Sequence, residues 1–261
     1  MITIKNYVSV DTVEEAYDLN KKRNNQVLGG MCWLKMMNKD VNTAIDLSKL
    51  NVKSIDEDET CFRIGAYVTL RELEMSTSFN EYTNGGMKKA VEHIVGVQFR
   101  NCATIGGSIW GRFGFSDLLT FFLSLDAKVE LYPTGIVSLK EFRDMKVNND
   151  ILLSVIVDKK PLKVAYQTIR NQSTDFPVLA CACSNVDGKY NTAIGARPGK
   201  AMLVEDDNNI LAEVNEETIK AYSEYVMNRV DTISDSRASG EYRKRMVKVL
   251  VSRCMKEMEG I

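Results

Sequence analysis

Two glycine pairs are the residues whose spacing most directly suggests a binding function. Gly29 and Gly30 end the short β-like run QVLGG, Gly106 and Gly107 end the run ATIGG, and an apolar segment follows each pair. Glycine has no Cβ, so backbone N–H groups at such positions can approach a ligand closely. Successive N–H groups form a concavity that suits phosphate oxygens. We therefore predict that the two loops face each other across a pyrophosphate.

The loops do not match the common nucleotide-binding fingerprints. Neither contains the Lys of a P-loop, and neither fits the pattern G-x-G-x-x-G. On the glycine pairs alone, the alternative interpretation is two ordinary tight turns.

Other residues with catalytic or metal-binding chemistry are few. His93 is the one histidine, and its helix-like segment predicts a surface or capping role. Cys181 and Cys183 have strand spacing, which predicts that they share one face as buried small hydrophobes rather than as a metal or redox pair. We therefore predict no catalytic residue and no metal site, and any chemistry must come from a bound organic cofactor. The six cysteines contain no C-x-x-C pair: Cys32, Cys61, Cys102, Cys181, Cys183 and Cys254.

Composition limits the class of protein. The chain has 261 residues and a formal net charge of −1, with no strongly basic block, so nucleic acid is not the expected partner. No apolar run is long enough to span a bilayer, so no membrane association is expected. The first residues lack the pattern of a secretory signal, which favours a cytoplasmic location.

The elements around the glycine loops predict a mixed α+β protein in three segments. Residues 1–55 alternate short strands and helices, and residues 56–160 repeat this arrangement after a polar, turn-rich stretch. Residues 161–261 read as consecutive antiparallel strands followed by two amphipathic helices. We predict two small subdomains and then a sheet covered by helices.

Several helix starts and one hairpin carry local signatures. Asp11 with Glu14 and Thr69 with Glu72 have capping-box spacing, and Asn215 precedes a helix with acids in its first turn. The Asp-Gly pair in NVDGKY predicts a tight β-hairpin turn.

The motif RNCATIGGSI, followed by Asp117 and LLTFFLSLDAKVEL, resembles the FAD-binding medium subunit of the xanthine dehydrogenase and carbon monoxide dehydrogenase family of molybdenum hydroxylases. VLGGMCWLKMM, FRIGAYVTLRELE and SDSRASGEYR resemble further signatures of this family in the same order, so the resemblance covers nearly the whole chain. It implies a two-subdomain PCMH-type FAD-binding domain, then a C-terminal antiparallel sheet with helices like that of the CO dehydrogenase flavoprotein. It also implies FAD as the cofactor.

The resemblance assigns the FAD contacts by position. Asp117 would accept a hydrogen bond from a ribityl or ribose hydroxyl, and a plain helix N-cap is the alternative. Ile151 would contact the cofactor through its backbone and apolar side chain, and a core strand position is the alternative. The two loops would present N–H groups to the FAD pyrophosphate through Leu28, Gly29, Gly30, Met31, Cys32 and Trp33, and through Thr104, Ile105, Gly106, Gly107 and Ser108.

Some positions depart from the family pattern. Met31 and Cys32 stand where Thr-Asp is usual, and Ser108 stands where Asn is usual. Trp110 and Arg112 replace small residues. Binding through the backbone survives these changes, whereas side-chain hydrogen bonds from the first loop do not.

The resemblance implies an electron-transfer function that depends on partner chains. A molybdopterin subunit would oxidise the substrate, a subunit with [2Fe–2S] clusters would relay electrons, and FAD would pass them to NAD⁺ or another acceptor. Two alternatives stay open: a flavin-free scaffold subunit of the same complex, and a stand-alone FAD-dependent reductase.

Overall fold

The structure is a computed structural model that describes all 261 residues and divides into two compact units. Each unit is assembled from three segments, and the segments of the two units alternate along the chain. The division into subdomains at residues 1–55, 56–160 and 161–261 stays a prediction. The first unit comprises Met1–Glu72, Val97–Gly111 and Ala127–Asp158. The second comprises Leu73–Gly96, Arg112–Asp126 and Lys159–Ile261.

Strands and helices both contribute, which confirms the predicted α+β class. The strands are β1 (Thr3–Ser9), β2 (Gln26–Val27), β3 (Asp40–Asp46), β4 (Ile55–Glu57), β5 (Cys61–Gly65), β6 (Lys128–Tyr132), β7 (Gly135–Ser138), β8 (Ile151–Asp158), β9 (Leu162–Arg170), β10 (Pro177–Val186), β11 (Lys189–Gly195) and β12 (Met202–Glu205). The helices are α1 (Val13–Asn20), α2 (Leu70–Met75), α3 (Thr77–Tyr82), α4 (Gly86–Val91), α5 (Val97–Arg100), α6 (Ile105–Trp110), α7 (Asp117–Ser124), α8 (Leu139–Asp144), α9 (Glu216–Arg229) and α10 (Gly240–Glu259). No helix has the length and apolar content needed to cross a membrane.

The first unit contains two sheets. β1, β3 and β2 form a parallel sheet with β3 in the centre, and the order β4-β5-β8-β6-β7 forms an antiparallel sheet. A buried cluster that includes Ile45 of β3 and Ile151 of β8 packs this unit together. The end of β2 and the start of β8 therefore belong to one packed body.

The second unit has a four-stranded antiparallel sheet in the order β12-β11-β10-β9. Asp187 and Gly188 have φ of 51° and 83°, which forms the predicted tight hairpin between β10 and β11. α9 and α10 pack on the sheet through one large apolar cluster. The Oγ of Ser184 in β10 donates to the backbone O of Ser124 in α7 at 2.6 Å, which ties α7 to the sheet. This is the predicted C-terminal sheet with helices.

Capping residues fix where several helices begin. The Thr69–Glu72 box is confirmed, because Thr69 N donates to the Glu72 carboxylate at 2.7 Å and Glu72 N donates to Thr69 Oγ1 at 3.1 Å. The prediction for α1 was wrong by one residue. Thr12, not Asp11, is the N-cap, since its Oγ1 accepts from Glu15 N at 3.1 Å. Asp11 and Thr12 both offer a side-chain oxygen that can cap a helix, so the sequence pattern alone does not select between them.

Candidate cofactor-binding site

The first glycine loop leaves the parallel sheet directly after β2. Leu28 N donates to Ile45 O at 2.8 Å and extends the ladder by one residue. The Tyr67 hydroxyl holds the same point, because it donates to Leu28 O at 2.6 Å and accepts from Leu47 N at 3.0 Å. Burial raises the pKa of Tyr67 well above its ordinary value, so this hydroxyl stays protonated at neutral pH. The start of the loop is therefore anchored on both sides.

The two glycine-bearing segments lie directly against each other. A Cβ at Gly30 would be 1.7 Å from Cys102 O and 2.9 Å from Ala103 Cα. Both are main-chain atoms, which cannot turn aside as a flexible side chain can, so only glycine fits. At Gly29 a Cβ would be 3.1 Å from the Thr104 Oγ1, a tight contact with a side chain.

Backbone N–H groups of the first loop are free to bind a ligand. The amides of Gly29, Gly30 and Met31 have no acceptor within the chain. Met31 has a φ of 60°, in the left-handed region, and such a residue helps to turn successive N–H groups into a concavity. Three consecutive donors of this kind can bind an anion such as a phosphate group.

The second loop is the start of a capped helix. Thr104 is the N-cap of α6, and its Oγ1 accepts from Gly107 N at 3.2 Å. Ser108 N donates to Thr104 O at 3.1 Å, the first bond of the helix. The bond to Thr104 Oγ1 satisfies the Gly107 amide, which a helix start would otherwise leave open.

The remaining amides of the second loop hold it to the chain that follows β5. Ile105 N donates to Val68 O and Gly106 N donates to Ala66 O, both at 2.9 Å. A Cβ at Gly106 would lie 2.6 Å from Ala66 O and 2.8 Å from Ala66 Cβ. Gly106 is therefore a packing requirement, and its role toward a pyrophosphate stays a prediction.

A cavity of about 360 Å³ lies beside these segments within the first unit. Six of the thirteen predicted site residues line it: Leu28, Gly29, Thr104, Gly106, Gly107 and Ile151. Six others, which adjoin the lining residues along the chain, do not line it: Gly30, Met31, Cys32, Trp33, Ile105 and Ser108.

Much of the cavity wall consists of residues that were not predicted from the sequence. Residues 20–26 and residues 147–150 line it as well, and most of them carry amide or charged side chains. Asp150 is buried, and its carboxylate accepts a hydrogen bond from Thr134 Oγ1 at 2.5 Å. This bond helps to hold residues 147–150 in place. Both stretches are polar in the sequence, NKKRNNQ and VNND, but polarity alone does not distinguish a binding wall from an ordinary surface segment.

Apolar side chains also line the cavity, among them Trp110 and Ile151. Trp110, at the end of α6, packs on Phe142 with ring centroids 5.8 Å apart. Ile151 is the first residue of β8 and is buried with the core of this unit while it also lines the cavity. Ile151 therefore belongs to the core and lines the cavity at the same time.

Asp117 lies in the second unit and is not a helix cap. Ser116 is the N-cap of α7, since its Oγ accepts from Leu119 N at 3.1 Å, so the capping interpretation of Asp117 was wrong. Instead, Asp117 Oδ1 accepts from the Tyr166 hydroxyl at 2.5 Å and from Arg170 Nη2 at 2.6 Å. Burial raises the pKa of Asp117, and the charge of Arg170 opposes that rise. Its predicted hydrogen bond to an FAD hydroxyl stays a prediction.

Comparison with known families identifies the type of each domain and the cofactor. Residues 3–159 match the model of the FAD binding domain in molybdopterin dehydrogenase, and residues 164–258 match that of the CO dehydrogenase flavoprotein C-terminal domain. The chain belongs to this FAD-binding family of the molybdopterin dehydrogenases. Its cofactor is FAD, and the resemblance read from the sequence motifs is confirmed.

Curated relatives of this FAD-binding chain are similar along most of their length. The nicotine 6-hydroxylase medium subunit of Paenarthrobacter nicotinovorans is 25% identical over 272 residues, with 96% of each chain covered. The xanthine dehydrogenase FAD-binding subunit of Escherichia coli O157:H7 is 26% identical over 231 residues, which cover 81% of this chain and 78% of the relative. The chain is thus a member of the xanthine and CO dehydrogenase type of oxidoreductases.

Solved structures share the fold of this FAD-binding chain. A chain of the Cu,Mo-CO dehydrogenase superimposes with a TM-score of 0.89 at 19% identity, covering 100% of this chain and 99% of that one. A chain of quinoline 2-oxidoreductase from Pseudomonas putida 86 does so with a TM-score of 0.84 at 15% identity, covering 99% and 97%. The predicted two-part fold is confirmed.

Proposed function

We propose that this chain is the FAD-carrying electron-transfer subunit of a molybdenum hydroxylase complex. The observation that carries this proposal is the row of unengaged amides at Gly29, Gly30 and Met31 beside a cavity of about 360 Å³. The residues fit the diphosphate of FAD, because backbone N–H groups bind phosphate oxygens without any need for a cationic side chain. The family membership identifies the dinucleotide.

Each wall of the cavity has a proposed role. Gly29 lines the cavity, and Gly30 and Met31 follow it along the chain. The amides of residues 29–31 bind the diphosphate beside the cavity, and the absence of a Cβ at Gly29 keeps the approach open. Thr104 and Gly107 shape the opposite side. Asn and Lys side chains of residues 20–26 face the polar parts of the nucleotide, and Ile151 supplies apolar contact. Met31 and Cys32 replace polar side chains at no cost to this binding, because the backbone provides the donors.

FAD, when bound, takes up two electrons and releases them to a second carrier. We propose that a [2Fe–2S] subunit delivers these electrons, that a molybdopterin subunit oxidises the substrate, and that NAD⁺ or another soluble acceptor receives them. The cysteines of this chain lack the spacing of an iron–sulfur motif, so the clusters belong to a partner chain. Relatives named as medium or FAD-binding subunits support this division of roles.

The binding part of the proposal is tested by comparing flavins with and without the diphosphate. FAD-free protein is titrated with FAD and with riboflavin, and flavin fluorescence reports binding. Because charge-assisted hydrogen bonds to the diphosphate are strong, we expect FAD to bind at least about 100-fold more tightly, or roughly 2.7 kcal/mol. Equal affinity for riboflavin would contradict the role of the amides, and no binding of either flavin would favour the flavin-free scaffold.

The electron-transfer part is tested by isolation of the tagged chain from its native host. We expect it to co-purify with a chain that binds [2Fe–2S] clusters and with one that binds molybdopterin, identified by mass spectrometry and metal analysis. The isolated chain should carry FAD but oxidise no substrate without these partners. Turnover of a substrate by the isolated chain would instead support the stand-alone reductase.

A further inference from the structure

Three cysteine sulfur atoms meet in the core of the second unit. Cys181 and Cys183 lie two residues apart on one face of β10, and Cys254 of α10 lies over that face. The three sulfur atoms are all within 4.8 Å of one another, and those of Cys181 and Cys183 are 3.8 Å apart. The strand spacing of the first two was visible in the sequence, but the third comes from the far end of the chain.

This spacing matches a three-coordinate thiolate site. A thiolate sulfur binds a soft metal ion at about 2.3 Å, so three sulfurs arranged in a triangle around one ion would be roughly 4.0 Å apart. The sulfur atoms of Cys181 and Cys183 are 3.8 Å apart and no pair is more than 4.8 Å apart, so only small side-chain adjustments are required. Soft thiolate ligands select soft metal ions.

Hydroxyl groups support one corner of the triangle. Thr192 Oγ1 lies 3.3 Å from Cys183 Sγ, and the Tyr222 hydroxyl lies 3.1 Å from Thr192 Oγ1. Groups that hydrogen-bond to a metal ligand orient it and tune the site.

The surroundings set the charge that the site accepts. The three cysteines are 0% or 1% exposed, and the cluster around them is apolar. A charged complex in such a core is costly, so the net charge of ion and thiolates must be small. Three thiolates give −2 with a monovalent ion, −1 with a divalent ion and zero with a trivalent one.

We propose that Cys181, Cys183 and Cys254 form a binding site for a soft, thiophilic ion, with trivalent arsenic as the best-matched probe because its complex is neutral. With arsenous acid, As(OH)₃, three As–O bonds break and three As–S bonds form. The three thiol protons leave in three molecules of water, and neither arsenic nor sulfur changes oxidation state.

The proposal is tested on the purified full-length chain with arsenite, by native mass spectrometry and X-ray absorption at the arsenic edge. We expect one arsenic per chain, three sulfur neighbours and a raised Tm. Binding should be slow and should accelerate in mild denaturant, since the site is reached only through local opening. An arsenic atom with two or fewer sulfur neighbours would overturn the proposal, and this result needs no variant.

Variants separate this site from the other thiols. Cys254→Val should weaken arsenite binding at least about 100-fold, whereas Cys61→Ser and the double variant Cys32→Ser/Cys102→Ser should bind as the natural chain does. Unchanged binding by Cys254→Val, or loss in the double variant alone, would overturn the assignment. If Cys254→Val fails to fold, Cys183→Ser, which retains a hydrogen-bonding group beside Thr192, replaces it with the same expected loss.

Discussion

The two glycine loops of the first unit use their backbone amides differently. In the first loop, the amides of residues 29–31 have no acceptor in the chain. In the second, the amides of residues 105–107 donate to Val68 O, Ala66 O and Thr104 Oγ1. The first loop can therefore bind an anion without losing an existing bond, whereas the second is built into the fold. We therefore propose that the first loop binds the diphosphate and that the second loop supports the first.

The two glycines of each pair also have different surroundings. Gly30 and Gly106 abut main-chain atoms, where a Cβ would be 1.7 Å and 2.6 Å from a carbonyl oxygen. Gly29 and Gly107 approach only the Thr104 side chain closely, at 3.1 Å and 3.3 Å, and both line the cavity. We expect changes at Gly30 and Gly106 to damage folding. Changes at Gly29 and Gly107 should leave the fold intact, so that their effects on FAD binding can be compared.

The largest expected effect comes from Gly30→Ala. The new Cβ would overlap Cys102 O, so the two segments must separate. Overpacking of this kind costs about 3 kcal/mol of unfolding free energy. Urea denaturation of the FAD-free protein measures this cost, and flavin absorbance should show that FAD no longer co-purifies. A variant with unchanged stability would show that the segments are not in contact.

Gly29→Ala is expected to separate binding from folding. Its Cβ would meet only the Thr104 side chain at 3.1 Å, which can adjust by a few tenths of an ångström. The methyl group would stand beside the open amides, so we expect FAD affinity to fall about 10-fold, or roughly 1.4 kcal/mol, with the fold retained. Fluorescence titration measures the affinity and circular dichroism the fold. Unchanged affinity would remove the first loop from the site.

A cap substitution probes the supporting role of the second loop. Thr104→Val removes the Oγ1 that accepts from Gly107 N, and such a loss costs about 1 kcal/mol. Thr104→Ser keeps the hydroxyl and is the matched control, with stability close to that of the natural chain. Thermal unfolding compares the two. If valine and serine were equally stable, the cap would not hold α6 in place.

Sequence patterns predicted the fold better than the wall of the site. Motifs such as RNCATIGG identified the family, and the Asp187-Gly188 turn and the Thr69 box were correct because each depends on neighbours along the chain. The amides of residues 105 and 106 are engaged because they donate to the carbonyl oxygens of Val68 and Ala66. These acceptors lie far from Gly106 in the sequence, so no local sequence pattern shows which amides are free. The same reason explains why Cys254 was not paired with the β10 cysteines.

The smallest effect is expected for Gly107→Ala, and its sign distinguishes the loops. Gly107 lies in α6 without a left-handed φ, so alanine should stabilise the helix by about 0.5 kcal/mol after a small cost from crowding the Thr104 hydroxyl. The amide at this position is already engaged, so FAD affinity should change by less than about threefold, under roughly 0.7 kcal/mol. Thermal unfolding and flavin titration of Gly107→Ala beside Gly29→Ala measure both quantities. If Gly107→Ala weakened FAD binding as much as Gly29→Ala, the second loop would be a phosphate ligand as well, and the division between a binding loop and a supporting loop would be wrong.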